Sequence, residues 1–102
     1  MFVLQIAKHS AESCPMYEHK YKSMAVKWYE KVEEQAAKHK VKVLGIWNDH
    51  SGHAVYAIYE APDMDAYMHF QMEPECMAPL AFNKCVHIPV FSAAETLAML
   101  KR

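Results

Sequence analysis

At 102 residues the chain has room for one compact domain. Its net charge is −1 at pH 7, and its lysines alternate with glutamates instead of clustering, which argues against binding of DNA or RNA. No apolar run approaches the roughly 18 residues of a membrane span, and the first ten residues lack the features of a signal peptide, so we expect no association with a membrane.

Cysteine content indicates the cellular compartment of the domain, and hydrophobicity indicates whether a partner covers part of its surface. Three cysteines without the spacing of a disulfide scaffold are typical of a reducing cytoplasm. The hydrophobic fraction of 53% is high for a small domain, because such a domain buries only about 60–65% of its surface. We therefore predict a cytoplasmic protein that covers part of its apolar surface with a second subunit.

The first half of the chain predicts a strand, a long helix and a second strand. Residues 2–7 (FVLQIA) form an apolar run of strand-favouring residues. Pro15 suits the first position of a helix, Ser13 or Cys14 would cap it, and apolar residues then recur at helical spacing as far as His39. Residues 41–47 (VKVLGIW) predict the second strand.

The second half predicts two more strands and two more helices. A turn rich in Asn, Asp, Ser and Gly separates the second strand from residues 53–60 (HAVYAIYE), which predicts a β-hairpin. Residues 61–63 (APD) open a second helix that ends before Pro74. Residues 86–91 (VHIPVF) are a fourth strand, placed at a sheet edge by its internal proline. Ser92 and Glu95 have the spacing of a capping box, which predicts a short C-terminal helix.

The element order β-α-β-β-α-β with a short tail helix predicts a single α+β, ferredoxin-like domain over residues 1–102. In that fold a four-stranded antiparallel sheet has the strand order 4-1-3-2, and both main helices cover one face. The other face also needs a cover. We expect a second copy of the chain there, which would give a homodimeric α/β barrel.

Six His and Cys residues that are distant in sequence should meet at one end of this sheet. They are His9, Cys14, His50, His53, Cys85 and His87. In the predicted order, the end of the first strand, the start of the first helix, the hairpin and the start of the fourth strand share that end. Side-chain alternation predicts that residues 2, 4 and 6 face the helices, and that His9 and His87 point away from them into the barrel.

A transition-metal site is the first interpretation of this cluster. Imidazole and thiolate groups suit Ni, Zn or Cu, which take three or four such ligands at about 2.0–2.3 Å. The preferred ligands are His9, Cys14, His53 and His87, with Cys85 as a fifth candidate. Cys14 would also lie at a helix N-terminus, where the positive end of the helix dipole favours a thiolate.

Two other interpretations remain open. In the second, the protein is an enzyme that holds a small organic molecule between the sheet and the helices. His9 or His87 would act as the general base, and Tyr56 or Tyr59 would position the molecule. In the third, the same polar groups are ordinary ends of strands and loops, in a module that only dimerises.

Residues 41–63 (VKVLGIWNDHSGHAVYAIYEAPD) resemble small ferredoxin-like proteins that form dimeric α/β barrels and include a nickel-binding family. The similar features are Trp47 near the end of a strand, the short hairpin, and Glu60–Asp63 at the start of a helix; Ile88–Ser92 also resembles the last strand of related uncharacterised domains. The nickel-binding family carries paired histidines in and after its second helix, where this chain has only His69, so those ligands do not transfer. The wider group includes cofactor-free monooxygenases, isomerases and haem enzymes, and the resemblance therefore keeps an enzymatic function open.

Overall fold

Four strands and four α-helices make up the chain, and the structure, a computed structural model, describes residues 1–102. The strands are β1 (Phe2–Lys8), β2 (Lys42–Asp49), β3 (Ala54–Glu60) and β4 (Lys84–Val90). The helices are α1 (His19–Lys38), α2 (Met64–Gln71), α3 (Pro74–Met77) and α4 (Ala93–Leu100). Short 3-10 turns cover Ala11–Ser13 and Ala78–Ala81. None of the helices combines the length and the apolar character that a membrane span needs.

The strands form one antiparallel sheet in the order β2-β3-β1-β4, which is the predicted order read from the opposite edge. β1 is central, so that Leu4 lies opposite Ile58 of β3 and Ile88 of β4. β4 is an edge strand, which tolerates Pro89 because its missing N–H would point away from the ladder. The predicted α+β, ferredoxin-like fold is confirmed.

The hydrophobic core lies between one face of the sheet and the helices. Tyr59 of β3 and Tyr67 and Phe70 of α2 are fully buried, and Val32 of α1 is almost so. The three aromatic rings pack edge to face or tilted, with centroids 5.3 to 6.0 Å apart, which is the spacing that aromatic pairs prefer. Asp63 caps α2 by accepting a hydrogen bond from the Ala66 N–H, which satisfies one of the N–H groups that have no partner within the helix.

The alternation of side chains along β1 is opposite to the predicted one. The buried, helix-facing side chains are Val3, Gln5 and Ala7. The predicted helix-facing set, Phe2, Leu4 and Ile6, lies on the open face. The prediction was wrong because it assigned the more apolar set to the core, whereas the helix side here accommodates the amide of Gln5, whose oxygen accepts a hydrogen bond from the Tyr59 hydroxyl.

The first helix also starts later than the sequence predicts. α1 begins at His19, not at Pro15, and the Glu18 side chain accepts a hydrogen bond from the Lys20 N–H at its N-terminus. The N–H groups of residues 17 and 18 donate instead to the Cys14 carbonyl, which forms a separate turn. Cys14 therefore does not cap α1, and the predicted stabilisation of its thiolate by the helix dipole does not apply.

The second face of the sheet is apolar and uncovered within the chain. Trp47, Val86 and Ile88 remain 39 to 56% exposed, and the strand register places them in rows with Ile6 and Leu4. α4 begins with the predicted capping box of Ser92 and Glu95. Its apolar residues are likewise exposed, since no residue of this helix is buried.

Candidate functional site

His9, Cys14 and His53 come together where β1 ends. The atoms of these residues that could bind a metal lie within 4.8 Å of one another. The backbone fixes the two histidines side by side, because the His9 N–H donates to the His53 carbonyl at 3.1 Å and extends the pairing of β1 with β3. Their rings are 5.3 Å apart in an edge-to-face arrangement. The structure thus brings together three of the predicted ligands.

His53 reaches this position through an unusual backbone conformation. Its φ angle is 53°, and Lys40 is the only other non-glycine residue with a positive φ. The left-handed region is uncommon for residues with a Cβ, although His, Asn and Asp tolerate it better than most. The turn therefore needs glycine or one of these tolerant residue types at position 53.

Two ring nitrogens of this group have no hydrogen-bond partner within the chain. They are His9 Nε2 and His53 Nδ1, both buried, and Gln35 Oε1 is the only other buried side-chain atom in that condition. Burying such an atom without a partner costs about 1–3 kcal/mol. Two of the three unpartnered atoms therefore lie at one place, next to a thiol.

Asn83 fixes the tautomer of His9. Its amide oxygen lies 3.2 Å from His9 Nδ1, and because this oxygen can only accept, Nδ1 carries the hydrogen and Nε2 keeps a lone pair. Burial lowers the pKa of His9 below its ordinary value; the bond to Asn83 opposes this effect and the neighbouring His53 adds to it. His9 is thus a neutral imidazole with its lone pair directed away from Asn83.

Sequence reasoning missed Asn83, although the strand register contains the signal. Lys8 pairs with Lys84, so one step further along the antiparallel pair brings His9 opposite Asn83. The fourth strand predicted from the sequence begins at residue 86, whereas β4 begins at Lys84, so the prediction places Asn83 in a loop. Asn83 acts on the site through His9, as a residue that orients the ring.

An open cleft of about 440 Å³ leads to the three residues. It lies between the β2–β3 turn and the segment that joins β1 to α1, and His9, Cys14 and His53 line it together with Tyr17 and Asp49. The Asp49 carboxylate already accepts hydrogen bonds from the Gly52 N–H at 2.9 Å and the Ser51 hydroxyl at 2.8 Å, so it belongs to the turn.

A smaller cavity of about 50 Å³ lies between the sheet, α1 and the 3-10 turn at Ala78–Ala81. Most of its wall is apolar, with Trp28, Ala57 and Phe82 among the lining residues, and Gln5 adds a polar group. His9 lines both the cavity and the cleft. This residue therefore stands where the two spaces adjoin.

His87 and Cys85 face the helices and do not join the group, which corrects two parts of the prediction. His87 Nδ1 accepts a hydrogen bond of 2.6 Å from the Tyr67 hydroxyl, and Cys85 Sγ accepts one from Gln5 Nε2 at 3.8 Å. Neither points into a barrel interior, because the alternation along the sheet is reversed. His50 remains exposed in the turn, as the sequence indicates.

Hydrogen bonds connect Gln5, Tyr59, Gln71, Tyr67 and His87 into one network, in which Gln71 and His87 are only partly buried. Burial is the main effect that raises the pKa of both tyrosines and lowers the pKa of His87. Each tyrosine is therefore a donor, and His87 is a neutral acceptor. These side chains are hydrogen-bond partners of one another, in contrast to His9 and His53, each of which has one ring nitrogen without a partner.

The tyrosines predicted to position a substrate do not line the cavity. Tyr56 lies on the open face of the sheet, because it pairs with Ile6 and Trp47. Tyr59 is on the helix side, but its hydroxyl is bonded to Gln5. The third cysteine, Cys76, is buried, and this burial, together with Glu73 and Glu75, raises the pKa of its thiol to about 12.

No model of a known protein family matches the sequence, and no curated protein matches it. Solved structures do match. An uncharacterised NIPSNAP domain protein from Burkholderia xenovorans is 14% identical with a TM-score of 0.53, covering 91% of this chain and 96% of that protein. An antibiotic biosynthesis monooxygenase is 12% identical with a TM-score of 0.53, covering 90% of this chain and 100% of that one. The protein Rv0793 from Mycobacterium tuberculosis is 10% identical with a TM-score of 0.56, covering 91% and 99%.

At these identities the similarity establishes the fold. The protein is an α+β domain of the ferredoxin-like type, with the same architecture as NIPSNAP and antibiotic biosynthesis monooxygenase structures. None of the three matched proteins is described as nickel-binding. The resemblance to a nickel-binding family therefore gains no support from them, whereas the wider resemblance to small ferredoxin-like domains is confirmed.

Proposed function

We propose that the protein binds a small, mostly apolar organic molecule where the cleft and the cavity adjoin, and acts on it as an enzyme of the cofactor-free monooxygenase or isomerase type. The observation that carries this proposal is the position of His9 in the walls of both spaces. The fold shared with an antibiotic biosynthesis monooxygenase supports the same class of activity. Most ligand sites are likewise apolar clefts with a few polar groups that orient the ligand.

The walls favour a phenol or an enol as the bound molecule. The larger part of the molecule would lie in the cleft, with its apolar edge toward Trp28, Ala57 and Phe82 of the small cavity. The lone pair on His9 Nε2 would accept a hydrogen bond from its O–H. His9 then serves as the general base that removes this proton, and Asn83 holds the ring in the tautomer that leaves Nε2 free.

Tryptophan fluorescence can test this binding directly. The chain has two tryptophans: Trp28 lines the cavity, and Trp47 lies on the open face of the sheet. In a Trp47→Phe background, titration with a series of phenols and naphthols should quench the remaining Trp28 emission to saturation. Ala25 lines both spaces, so an added Ala25→Leu change should weaken binding at least about tenfold, as expected for lost space in a close-packed site.

Ala37→Leu supplies the matched control, because it makes the same change at an exposed position of the same helix. It should leave binding unchanged. His9→Gln should abolish turnover of any bound compound while binding persists. Mass spectrometry of the products measures turnover. Failure of the whole series to quench Trp28, or equal quenching in the Ala25→Leu protein, would contradict the proposal.

Transition-metal binding is the second candidate function, and a separate observation favours it. His9 Nε2 and His53 Nδ1 lack hydrogen-bond partners within the chain, and both rings lie beside the Cys14 thiol. A bound ion would change His9 from a base into a ligand. The two candidate functions therefore predict different results for metal-free protein: only the first predicts turnover of a phenol.

A homodimer is part of the proposal. The open sheet face carries a continuous apolar surface that includes Ile6, Val86 and Ile88, and large exposed apolar patches are typical of interaction sites. A second copy of the chain, related by a two-fold axis, would bury the same surface on both subunits.

A further inference from the structure

The three candidate ligand atoms are close to the separation that a metal ion requires. Ligands at about 2.0–2.3 Å from a tetrahedral ion lie roughly 3.3–3.7 Å from one another. One ring nitrogen of His9, one ring nitrogen of His53 and Cys14 Sγ lie within 4.8 Å of one another. His9 Nε2 and His53 Nδ1 are the ring nitrogens without a hydrogen-bond partner. Small side-chain rotations, of about 1 Å at each atom, would therefore close the group around an ion.

The surroundings of His9 have the form of an outer ligand shell. A histidine that binds a metal through one ring nitrogen usually donates the other N–H to a carbonyl or a carboxylate, which fixes the ring. Asn83 Oδ1 is such an acceptor for His9 Nδ1.

The chain supplies three ligands and no fourth. No other His, Cys, Asp or Glu belongs to the group, and Asp49, which lines the same cleft, is bonded within its turn. Structural zinc sites are closed by four protein ligands, whereas catalytic sites have three and leave one position exchangeable. All three residues line the cleft of about 440 Å³, so an exchangeable position would face this cleft.

We propose that His9, Cys14 and His53 form an open centre for a divalent ion of the Zn²⁺ or Ni²⁺ type, whose fourth position faces the cleft and takes a small anion or a phenolate. This inference rests on the second candidate function, metal binding. It adds that the centre is of the exchangeable, catalytic kind. Two neutral imidazoles and one thiolate leave a divalent ion with one net positive charge, which favours an anionic fourth ligand.

Cobalt(II) is the probe that separates metal binding from an open position. Protein without an affinity tag is freed of metal with a chelator and titrated with Co²⁺. We expect one equivalent to bind, with the visible bands of a four-coordinate ion and a sulfur-to-cobalt charge-transfer band in the near ultraviolet. Azide or 1-naphthol added to this complex should then shift the visible bands to a saturating limit.

The variants assign the bands to residues. Cys14→Ser should abolish the charge-transfer band, and His9→Gln and His53→Asn should each weaken Co²⁺ binding by at least about 10–100-fold, since loss of an outer-shell partner alone costs that much. Asn tolerates the left-handed backbone, so His53→Asn keeps the turn while removing the imidazole. Asn83→Ala should weaken binding by about 10–100-fold, as outer-shell changes do.

His50→Gln and His69→Gln are the matched controls, the first inside the cleft wall and the second on α2. Both should bind Co²⁺ like the unmodified protein. Co²⁺ bands that neither azide nor naphthol shifts would overturn the open position and leave metal binding intact. If Co²⁺ produces no bands, or binds equally to the Cys14→Ser and His53→Asn proteins, metal binding and the open centre are both wrong.

Discussion

His53 carries two costs that a fold normally avoids in one residue. Its backbone is in the left-handed region, which disfavours an L-residue by about 1–2 kcal/mol, and its Nδ1 is buried without a partner. Gly52 next to it has no positive φ, so the hairpin does not use the residue best suited to that conformation. A bound ion would offset the second cost, because it would supply the missing partner for the nitrogen.

Substitution of His53 should therefore affect stability only when metal is present. In metal-free protein, His53→Asn should change the free energy of unfolding by less than about 1 kcal/mol, because Asn tolerates the same backbone. Zn²⁺ at 100 times its dissociation constant should stabilise the unmodified protein by about 2.7 kcal/mol and leave the variant unchanged. Urea denaturation with and without Zn²⁺ measures both values; an equal gain in the variant would exclude His53 as a ligand.

His87 should make folding sensitive to mild acid. Burial lowers its pKa below the ordinary value of 6.5, so below about pH 6.5 the unfolded chain binds more protons than the folded one. Stability is fully present above that pH and is lost as the pH falls toward the lowered value in the folded state. Denaturation at a series of pH values should show this slope.

His87→Gln should reduce the slope while keeping an acceptor for the Tyr67 hydroxyl. The part of the pH dependence that His9 contributes should remain, since burial lowers the pKa of His9 as well. A variant whose pH dependence matches that of the unmodified protein would show that His87 does not titrate differently in the two states.

At the scale of elements, Gln5 connects the sheet to α2. Its side-chain oxygen accepts a hydrogen bond from the Tyr59 hydroxyl at 2.6 Å, and Gln71 of α2 donates to the same oxygen and to Tyr67. β1 thereby has a polar residue in its buried row, and the network makes that burial acceptable because the amide groups find partners.

Gln5→Leu should destabilise the protein by about 2–3 kcal/mol, because the buried Tyr59 hydroxyl loses its acceptor. Gln71→Leu removes weaker contacts at 3.1 and 3.5 Å and should cost less. Thermal or chemical denaturation can compare the two. A Gln5→Leu protein as stable as the original would show that the network contributes specificity and not stability.

Features of the fold that depend on local sequence signals could be predicted, whereas the facing of β1 could not. Turn residues, the capping box and the order of apolar segments predicted the sheet order, since these signals are local. The facing of β1 was not predictable from hydrophobicity, because both of its rows are largely apolar and the row with Gln5 is the buried one. The late start of α1 depends on the turn around Cys14, whose carbonyl accepts the N–H of residue 18.

The site was predicted in part for the same reason. Strand order brought His9 near His53, and this depended only on topology. His87 and Cys85 were excluded by register, which pairs His87 with Gln5 and Cys85 with Ala7, too far from the strand end. Strand order alone does not distinguish His87 and Cys85 from His9 and His53. The distinction requires the side-chain contacts, which depend on packing.

At the scale of the whole molecule, the chain forms two layers and leaves one face open. Its shortest dimension is 16 Å and its longest is 52 Å, which matches a sheet with a single layer of helices and an extended tail helix. The open face includes Val86 at 53% and Ile88 at 39% exposure. Leu97 and Leu100 of α4 are exposed as well.

We expect the protein to be a dimer in solution, because a second copy would bury this face. Ile88→Glu should convert it to a monomer, since two copies related by a two-fold axis would each bring a charge into the interface. Leu80→Glu, at an exposed position of a 3-10 turn, is the control and should leave the dimer intact. Light scattering after gel filtration distinguishes the states, and a monomeric unmodified protein would contradict the expectation.

The ion's position is the most direct test of the His–Cys centre. A crystal of the untagged, Zn²⁺-loaded protein, with diffraction recorded on both sides of the zinc absorption edge, would locate it. We predict one anomalous peak within about 2.0–2.3 Å of His9 Nε2, Cys14 Sγ and His53 Nδ1, with a fourth ligand from the cleft side. A peak at another histidine, such as the His39–Glu73 pair, or no peak at all, would contradict metal binding by His9, Cys14 and His53.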